Sequence, residues 1–455
     1  MNDDTDHETE GLQASFASRF SLRHPAVRAA ALNFAEYGYS QGLRFASNLI
    51  LARLLVPEDF GLMLIINVVL HGLQMFSDLG TGPALIQNKQ GDEPHFLRTA
   101  WTISVARGAA LWLAACAMAW PLAWIYEDDR LAMVLPVAAL SIFFDACCST
   151  YVCVLERRLK LGLISIISLG SYTVSVGVMI TGALYTSTVW PLVAGTLVYT
   201  SLSSALTHFL PGAVPMRFQI DRAVARQLFR FGKWLTLSSM LTFVAGQLDK
   251  IMLGKLLTIT ELGVYSIAFM LSQVTVSLMH ELSSRILHPV YARAGECGPD
   301  ALRSQVRRFR ISLLLLTLPP LMLLYAVAPE LIGLLYDERY SDAGWMLQFL
   351  SLGAMITVVL LPAESVLIAR GDSFHHMLLQ AIGVVTMAGC VITGYRLGGT
   401  HGLLLGYALS GLLQYPFLAT FIRRHGVWLP GLDLAAAVVI LSYITLVLQL
   451  RHQLF

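Results

Sequence analysis

Apolar stretches of about twenty residues, long enough to cross the hydrocarbon core of a bilayer, recur almost without pause along this chain. They lie near residues 31–52, 60–80, 101–125, 131–154, 162–185, 189–209, 234–256, 264–287, 311–335, 344–368, 377–395, 401–422 and 432–450. The pattern predicts an all-α polytopic membrane protein of about thirteen transmembrane helices, twelve of them in two pseudo-symmetric six-helix bundles. Residues 1–30 then form a cytoplasmic N-terminal segment and 31–210 an N-lobe of spans 1–6. A basic linker takes 211–233, a C-lobe of spans 7–12 takes 234–424, and an additional span falls in 425–455. Pro136, Pro319–Pro320 and Pro362 sit inside spans and predict kinks or breaks there.

One helix–turn–helix pattern occurs twice. Shifting the sequence by 202 positions brings Leu51-Ala52-Arg53-Leu54-Leu55 onto Leu253-Gly254-Lys255-Leu256-Leu257, and Asp59-Phe60-Gly61-Leu62 onto Glu261-Leu262-Gly263-Val264. The polar positions coincide as well. Tyr37, Ser40, Arg44 and Ser47 step by three or four, so they share one helical face, and Ser239, Thr242, Gly246 and Asp249 occupy the equivalent places. In the second helix of each hairpin His71 and Asp78 correspond to Gln273 and His280. Matched wet faces on repeated hairpins point to a pseudo-symmetric pathway, as in transporters.

Composition agrees: 56% of the 455 residues are hydrophobic, only 13% are charged, and the mean hydropathy is +0.64. A soluble chain would carry about a quarter charged residues. The first thirty or so residues are polar and lack the apolar core of a signal peptide, so the first span is expected to act as its own insertion signal. The positions of Lys and Arg set the orientation. With the N-terminus in the cytoplasm, 21 fall inside, 6 outside and 4 within spans, which the positive-inside rule favours decisively. The six cysteines have no zinc-type spacing, and neither a metal, a disulfide framework nor a cofactor is expected.

An ionisable group deep in a membrane costs about 2.5–3.5 kcal/mol on insertion scales, so it is usually functional or paired. Arg44 lies about eight residues from either end of span 1, as a cavity-facing anion contact or the partner of a structural ion pair such as Asp78. Adjacent helical residues point about 100° apart, so one of Asp249 and Lys250 is expected to face the cavity, and Asp249 continues the polar stripe. Asp249, Asp78, His71 and His280 are candidate ion-coupling groups. Arg107 and Asp145 lie at comparable depth and are expected to pair, as are Glu281 and Arg285, four apart on one helix. Glu364 is expected to reach the headgroups. The chain contains no P-loop, no G-x-S-x-G elbow and no H-E-x-x-H, no outer loop large enough for sugar chemistry, and no platform for nucleic acid. It reads as a transporter and not an enzyme.

Several stretches together resemble the polysaccharide transporter family of the multidrug/oligosaccharidyl-lipid/polysaccharide exporter superfamily, which includes the Wzx-type oligosaccharide flippases. They are Gln41-Gly42-Leu43-Arg44, Leu54-Leu55-Val56-Pro57-Glu58-Asp59-Phe60-Gly61, Asp78-Leu79-Gly80, Leu155-Glu156-Arg157-Arg158, Phe229-Arg230-Phe231-Gly232-Lys233-Trp234 and Leu248-Asp249-Lys250-Ile251-Met252-Leu253-Gly254. His288-Pro289-Val290-Tyr291-Ala292-Arg293 is similar to the family's F-P-x-x-S/A-R element, with His in place of Phe. The order and spacing of these stretches carry the likeness over residues 30–310. Family members have twelve or fourteen spans, so thirteen is a departure.

The resemblance implies a substrate class, a polyprenyl-diphosphate-linked oligosaccharide moved across the bacterial inner membrane by alternating access. Membrane lipids and a polysaccharide polymerase or export complex would be its partners. On that expectation Arg44 and Lys250 meet the diphosphate or acidic sugars, while Tyr37, Gln41, Ser239, Thr242 and Gln273 meet sugar hydroxyls. The rival expectations are a small-molecule exporter of the same superfamily, a membrane enzyme acting on lipid-linked sugars, and a scaffold for polymer assembly.

Overall fold

The computed structural model describes residues 25–454, apart from Leu79, Lys89, Leu159, Leu161, residues 284–286, 288–289 and 292–298; along 25–37 and at scattered helical positions it describes backbone only. The structured elements there are helical. In chain order they are α1 (Pro25–Leu54), α2 (Pro57–Phe76), α3 (Thr81–Gln87), α4 (Pro94–Tyr126), α5 (Arg130–Ala138), α6 (Leu140–Ala146) and α7 (Tyr151–Arg157). Then follow α8 (Gly162–Tyr185), α9 (Trp190–Thr207), α10 (Arg222–Leu256), α11 (Ile259–Leu282), α12 (Pro299–Leu335), α13 (Ala343–Ala369), α14 (Ser373–Arg424) and α15 (Pro430–Leu454). Among the described residues, 8 helices are long and apolar enough to cross a membrane, or 9 if α5–α6 and α7, bent by 59°, count as one span. The protein is an all-α polytopic membrane protein.

The chain divides into two compact units. The described part of Met1–Leu55 with Val69–Met240 makes one, and Val56–Val68 with Leu241–Phe455 the other. The division cuts through α2 and α10.

The repeated hairpins start their second helices by different devices. In α2, Pro57 stands at the first helical position, where its missing N–H costs nothing, and Glu58 and Asp59 face the positive end of the helix dipole. In α11 a capping box does the work: the Glu261 N–H donates to Thr258 Oγ1 at 3.2 Å, and the Thr258 N–H donates to Glu261 Oε2 at 2.9 Å. The two starts meet inside the second unit. Thr260 Oγ1 donates to Glu58 Oε1 at 2.7 Å, between residues 202 positions apart. Below that bond the backbones touch at Gly61 and Gly263, also 202 apart. A Cβ on Gly61 would lie 2.1 Å from the Ile259 carbonyl oxygen, and one on Gly263 would lie 1.8 Å from that of Pro57. Only hydrogen fits at either position, as at other close helix crossings in membranes.

The helix holding Pro136, α5, ends two residues after it at Ala138, whereas the prolines of the second unit do not end their helices. Pro319, Pro320 and Pro329 lie within α12 and Pro362 within α13, because neighbouring helices re-satisfy the backbone groups a membrane proline frees. The break falls at glycine instead. The 52 residues of α14 are two helices joined at Gly398 and Gly399, the latter with φ of 57°. Its halves pack backbone to backbone, Gly394 against Gly402 and Gly406 against the Cys390 carbonyl. This separates the two spans expected at 377–395 and 401–422.

The second unit is built around α13, whose Leu347, Met355, Val358, Val366 and Leu367 are fully buried. The last helix, α15, is fastened to α12 by polar rungs. Arg310, 1% exposed, forms an ion pair with Asp433 and donates to the Val359 carbonyl at 3.1 Å. The Tyr415 hydroxyl completes the Asp433 shell at 2.9 Å. Tyr443 donates to the Met322 carbonyl at 2.9 Å, and Arg451 meets both the Ala326 carbonyl (2.8 Å) and Glu330 (2.9 Å). Arg107 donates to the Ser77 carbonyl at 3.2 Å and attracts Asp145 through its charge without a direct salt bridge to it. The expected Glu281–Arg285 pair involves Arg285, which lies outside the described residues.

Candidate functional site

The polar face of α1 lines a pocket of about 430 Å³ within the first unit. Ser40, Gln41 and Arg44 supply one wall, Ser168, Tyr172 and Ser175 of α8 a second, and Thr196 and Tyr199 of α9 the third. The Arg44 guanidinium has no hydrogen-bond or ion partner among the described residues, although its side chain is exposed along a membrane helix. A free guanidinium ringed by hydroxyls offers charge-assisted donors to a phosphate or carboxylate and ordinary partners to sugar hydroxyls. Neither α8 nor α9 figured in the sequence expectation. The signal was present, since Ser168, Tyr172, Ser175 and Met179 step by four, three and four, but a mean hydropathy over the span conceals it. The Tyr37 side chain lies outside the described residues.

Asp78 and Ser239 meet elsewhere in the same unit. The Asp78 carboxylate accepts from the Gly80 N–H at 2.8 Å and from Ser239 Oγ at 3.4 Å, while Thr236 Oγ1 donates to the Asp78 carbonyl at 2.6 Å. Gly80, with φ of 59°, holds the turn that brings this carboxylate against its own backbone. His71 lies half-buried on α2 and outside the lining of the Arg44 pocket.

The second unit holds a cavity of about 370 Å³, and four of the expected residues converge on it: Asp249 and Lys250 from α10, Gln273 and His280 from α11. Both members of the adjacent pair face it, contrary to the expectation of one. The Lys250 side chain is long enough to curl back, so its Nζ sits 3.4 Å from both Asp249 oxygens and 4.5 Å from the Phe269 ring centroid. The Tyr265 hydroxyl donates to Asp249 Oδ2 at 3.4 Å. Asp249 and Lys250 therefore neutralise each other, and ring and charge add a cation–π contact. Glu364 faces this cavity too, and does not reach out to headgroups as expected; with Gln380 and Gln414 it supplies polar lining the sequence reading missed. The two amides come from the separate halves of α14, so only the Gly398–Gly399 break brings them together. Thr242 is exposed on α10 and does not line the cavity.

The electrostatics of the two pockets differ in kind. The first presents one free cation among hydroxyls. The second presents a neutral pair, a further carboxylate, an imidazole and amides.

Comparison with known proteins gives a consistent pattern. A family profile described as polysaccharide biosynthesis protein matches residues 50–344. The lipopolysaccharide biosynthesis protein WzxC of Escherichia coli K12 is 21% identical over 426 residues, covering 90% of this chain and 85% of that protein. The succinoglycan biosynthesis transport protein ExoT of Rhizobium meliloti is 25% identical over 317 residues, covering 68% and 62%. Among solved structures, the lipid II flippase MurJ in an inward closed conformation superposes with a TM-score of 0.69 at 11% identity, covering 92% of this chain and 93% of that one. An inward-facing multidrug MATE transporter gives 0.63 at 14% identity, covering 85% and 95%. These two likenesses concern the fold.

Proposed function

The chain belongs to the polysaccharide biosynthesis protein family, and from that premise we propose that it flips a polyprenyl-diphosphate-linked oligosaccharide across the bacterial inner membrane for a surface or secreted polysaccharide. The observation that carries this reading is the Arg44 pocket: a cation without an ion partner among the described residues, set among hydroxyls within the membrane helices. A lipid-linked glycan offers the matching groups, a diphosphate or acidic sugar for the guanidinium and hydroxyls for the rest. Relatives named for lipopolysaccharide biosynthesis and succinoglycan transport support the same substrate class.

In this proposal the N-terminus is cytoplasmic, as the Lys and Arg distribution favours. Counting α1, α9, α10 and both halves of α14 with the more apolar helices gives thirteen spans. The lobes 31–210 and 234–424 alternate in access about the segment 211–233, with 425–455 as an accessory span. Arg44 and Lys250 handle anionic groups; Tyr37, Gln41, Ser239 and Gln273 handle hydroxyls. Asp249, Asp78, His71 and His280 are the coupling groups, and a polymerase or export complex receives the product.

Deleting the gene and extracting the lipids tests the proposal. Complete repeat units on polyprenyl diphosphate, trapped where a leaflet-specific glycosidase cannot reach them, are the expected result. Truncated units would assign the chain to sugar chemistry, and an unchanged lipid pool would move it to small-molecule export.

A further inference from the structure

A groove of about 870 Å³ runs between the first turns of α12 and α15 and is polar at one end, apolar at the other. Its polar end carries Arg303, Arg307 and Arg308, with Asp300 as the only acid among the described lining residues. Arg303 and Arg307 lie four apart on one helical face. All three arginines are exposed, and none makes a hydrogen bond or ion pair among the described residues. The apolar end is formed by Ile311 of α12 with Leu429, Leu432 and Ala435 at the start of α15. Beneath it lies the Arg310–Asp433 pair, which fixes the spacing of the two helices.

We propose that this groove binds an anionic phospholipid of the surrounding leaflet, its phosphate on Arg303 and Arg307 and its acyl chains along Ile311, Leu432 and Ala435. Length places the groove at the right depth. α12 has 37 residues, about 55 Å at the helical rise, against a hydrocarbon core of about 30 Å. Its first turns therefore stand at headgroup level. Three arginines against one aspartate select for negative charge, and guanidinium groups pair with phosphate through two parallel hydrogen bonds. The apolar end selects for an amphiphile over a free anion, which would leave that surface wet. The site is independent of the transport reading, since it involves neither pocket described above.

The test uses the purified full chain and two short-chain probes, dioctanoyl phosphatidylglycerol and dioctanoyl phosphatidylcholine, with bound lipid counted by native mass spectrometry. The expected result is preferential retention of phosphatidylglycerol, falling about fivefold for each arginine removed in R303Q, R307Q and R308Q. A charge-matched control, R217Q/R222Q/R230Q, should retain the preference, and A435W should weaken both lipids by filling the apolar end. If the triple groove variant does not fold, R307Q alone should still show the fivefold loss. Equal retention of the two lipids by the unaltered chain would overturn the proposal, and so would an equal loss in the control. Displacement of phosphatidylglycerol by millimolar inorganic phosphate would make the groove a free-anion site. Displacement by farnesyl diphosphate at lower concentration would make it a vestibule for the polyprenyl substrate, and either outcome rejects the assignment.

Discussion

At the scale of single residues, the free guanidinium of Arg44 makes the sharpest demand. A charge-assisted hydrogen bond is worth about 1.5–3 kcal/mol, so Arg44→Ala should lower export roughly tenfold or more at equal membrane abundance, with Arg44→Lys recovering part of it. Export of surface polysaccharide in a complemented deletion strain measures both. A second residue-scale prediction concerns Asp372, in the turn before α14. His375 Nδ1–H at 2.7 Å, foremost, and His425 Nε2–H at 3.0 Å hold its carboxyl at about 2, below its ordinary 3.8. The other ring nitrogen of His375, Nε2, lies 2.8 Å from an Arg424 guanidinium nitrogen. A depressed carboxyl stabilises the fold above the unfolded value and loses that contribution as pH falls through the folded one. Asp372→Asn should therefore melt below the parent chain at neutral pH, and the gap should close between about pH 4 and pH 2. Thermal melting across that range decides it.

At the scale of elements, the contact of α2 with α11 and the fastening of α15 to α12 each predict a cost. Gly61→Ala or Gly263→Ala puts a methyl into backbone, which should destabilise by about 1–3 kcal/mol as overpacking does. Gly42→Ala, with nothing within 4 Å of its Cβ, should not. Paired melting curves separate the two. Removing one member of the Arg310–Asp433 pair leaves a buried charge uncompensated, a loss of about 3–5 kcal/mol, so Asp433→Ala should melt well below an exposed control such as Glu338→Ala. Much at this scale was legible in the sequence. The shift of 202 positions anticipated a likeness between hairpins, and the structure adds that Glu58 with Thr260 and Gly61 with Gly263 touch. Arg310 was not legible: at the start of a span it reads as one more inside cation, and its partner comes 123 residues later. Helical periodicity reports which residues share a face but not which distant face it meets.

At the scale of the whole molecule, hydropathy located the spans because every lipid-crossing backbone must bond to itself. Their ends lie within a turn or two of expectation in most cases, α8 matching at both ends. The long extensions of α10 and α12 escaped it, since their first turns are basic and a hydropathy window ends where charge begins. The pockets were legible in part. Gln41 and Arg44 share one, and Asp249, Lys250, Gln273 and His280 share another, because each group lies on one helix or one repeated hairpin. Ser239 with Asp78, Glu364 from α13 and the amides of α14 needed the fold, because three-dimensional packing alone brings those helices to the same place.

The Arg310–Asp433 pair also has a schedule. A ribosome adds about 5–20 residues each second, so Arg310 emerges roughly 6–25 seconds before the aspartate that neutralises it, across the 123 residues between them. For that interval the nascent second unit carries a cation with no counterion, and every helix from α13 to the start of α15 is made while it waits. Slowing translation beyond α14 lengthens the wait. The pair therefore closes as α15 begins, and the Arg451–Glu330 rung at the far end of that helix follows it.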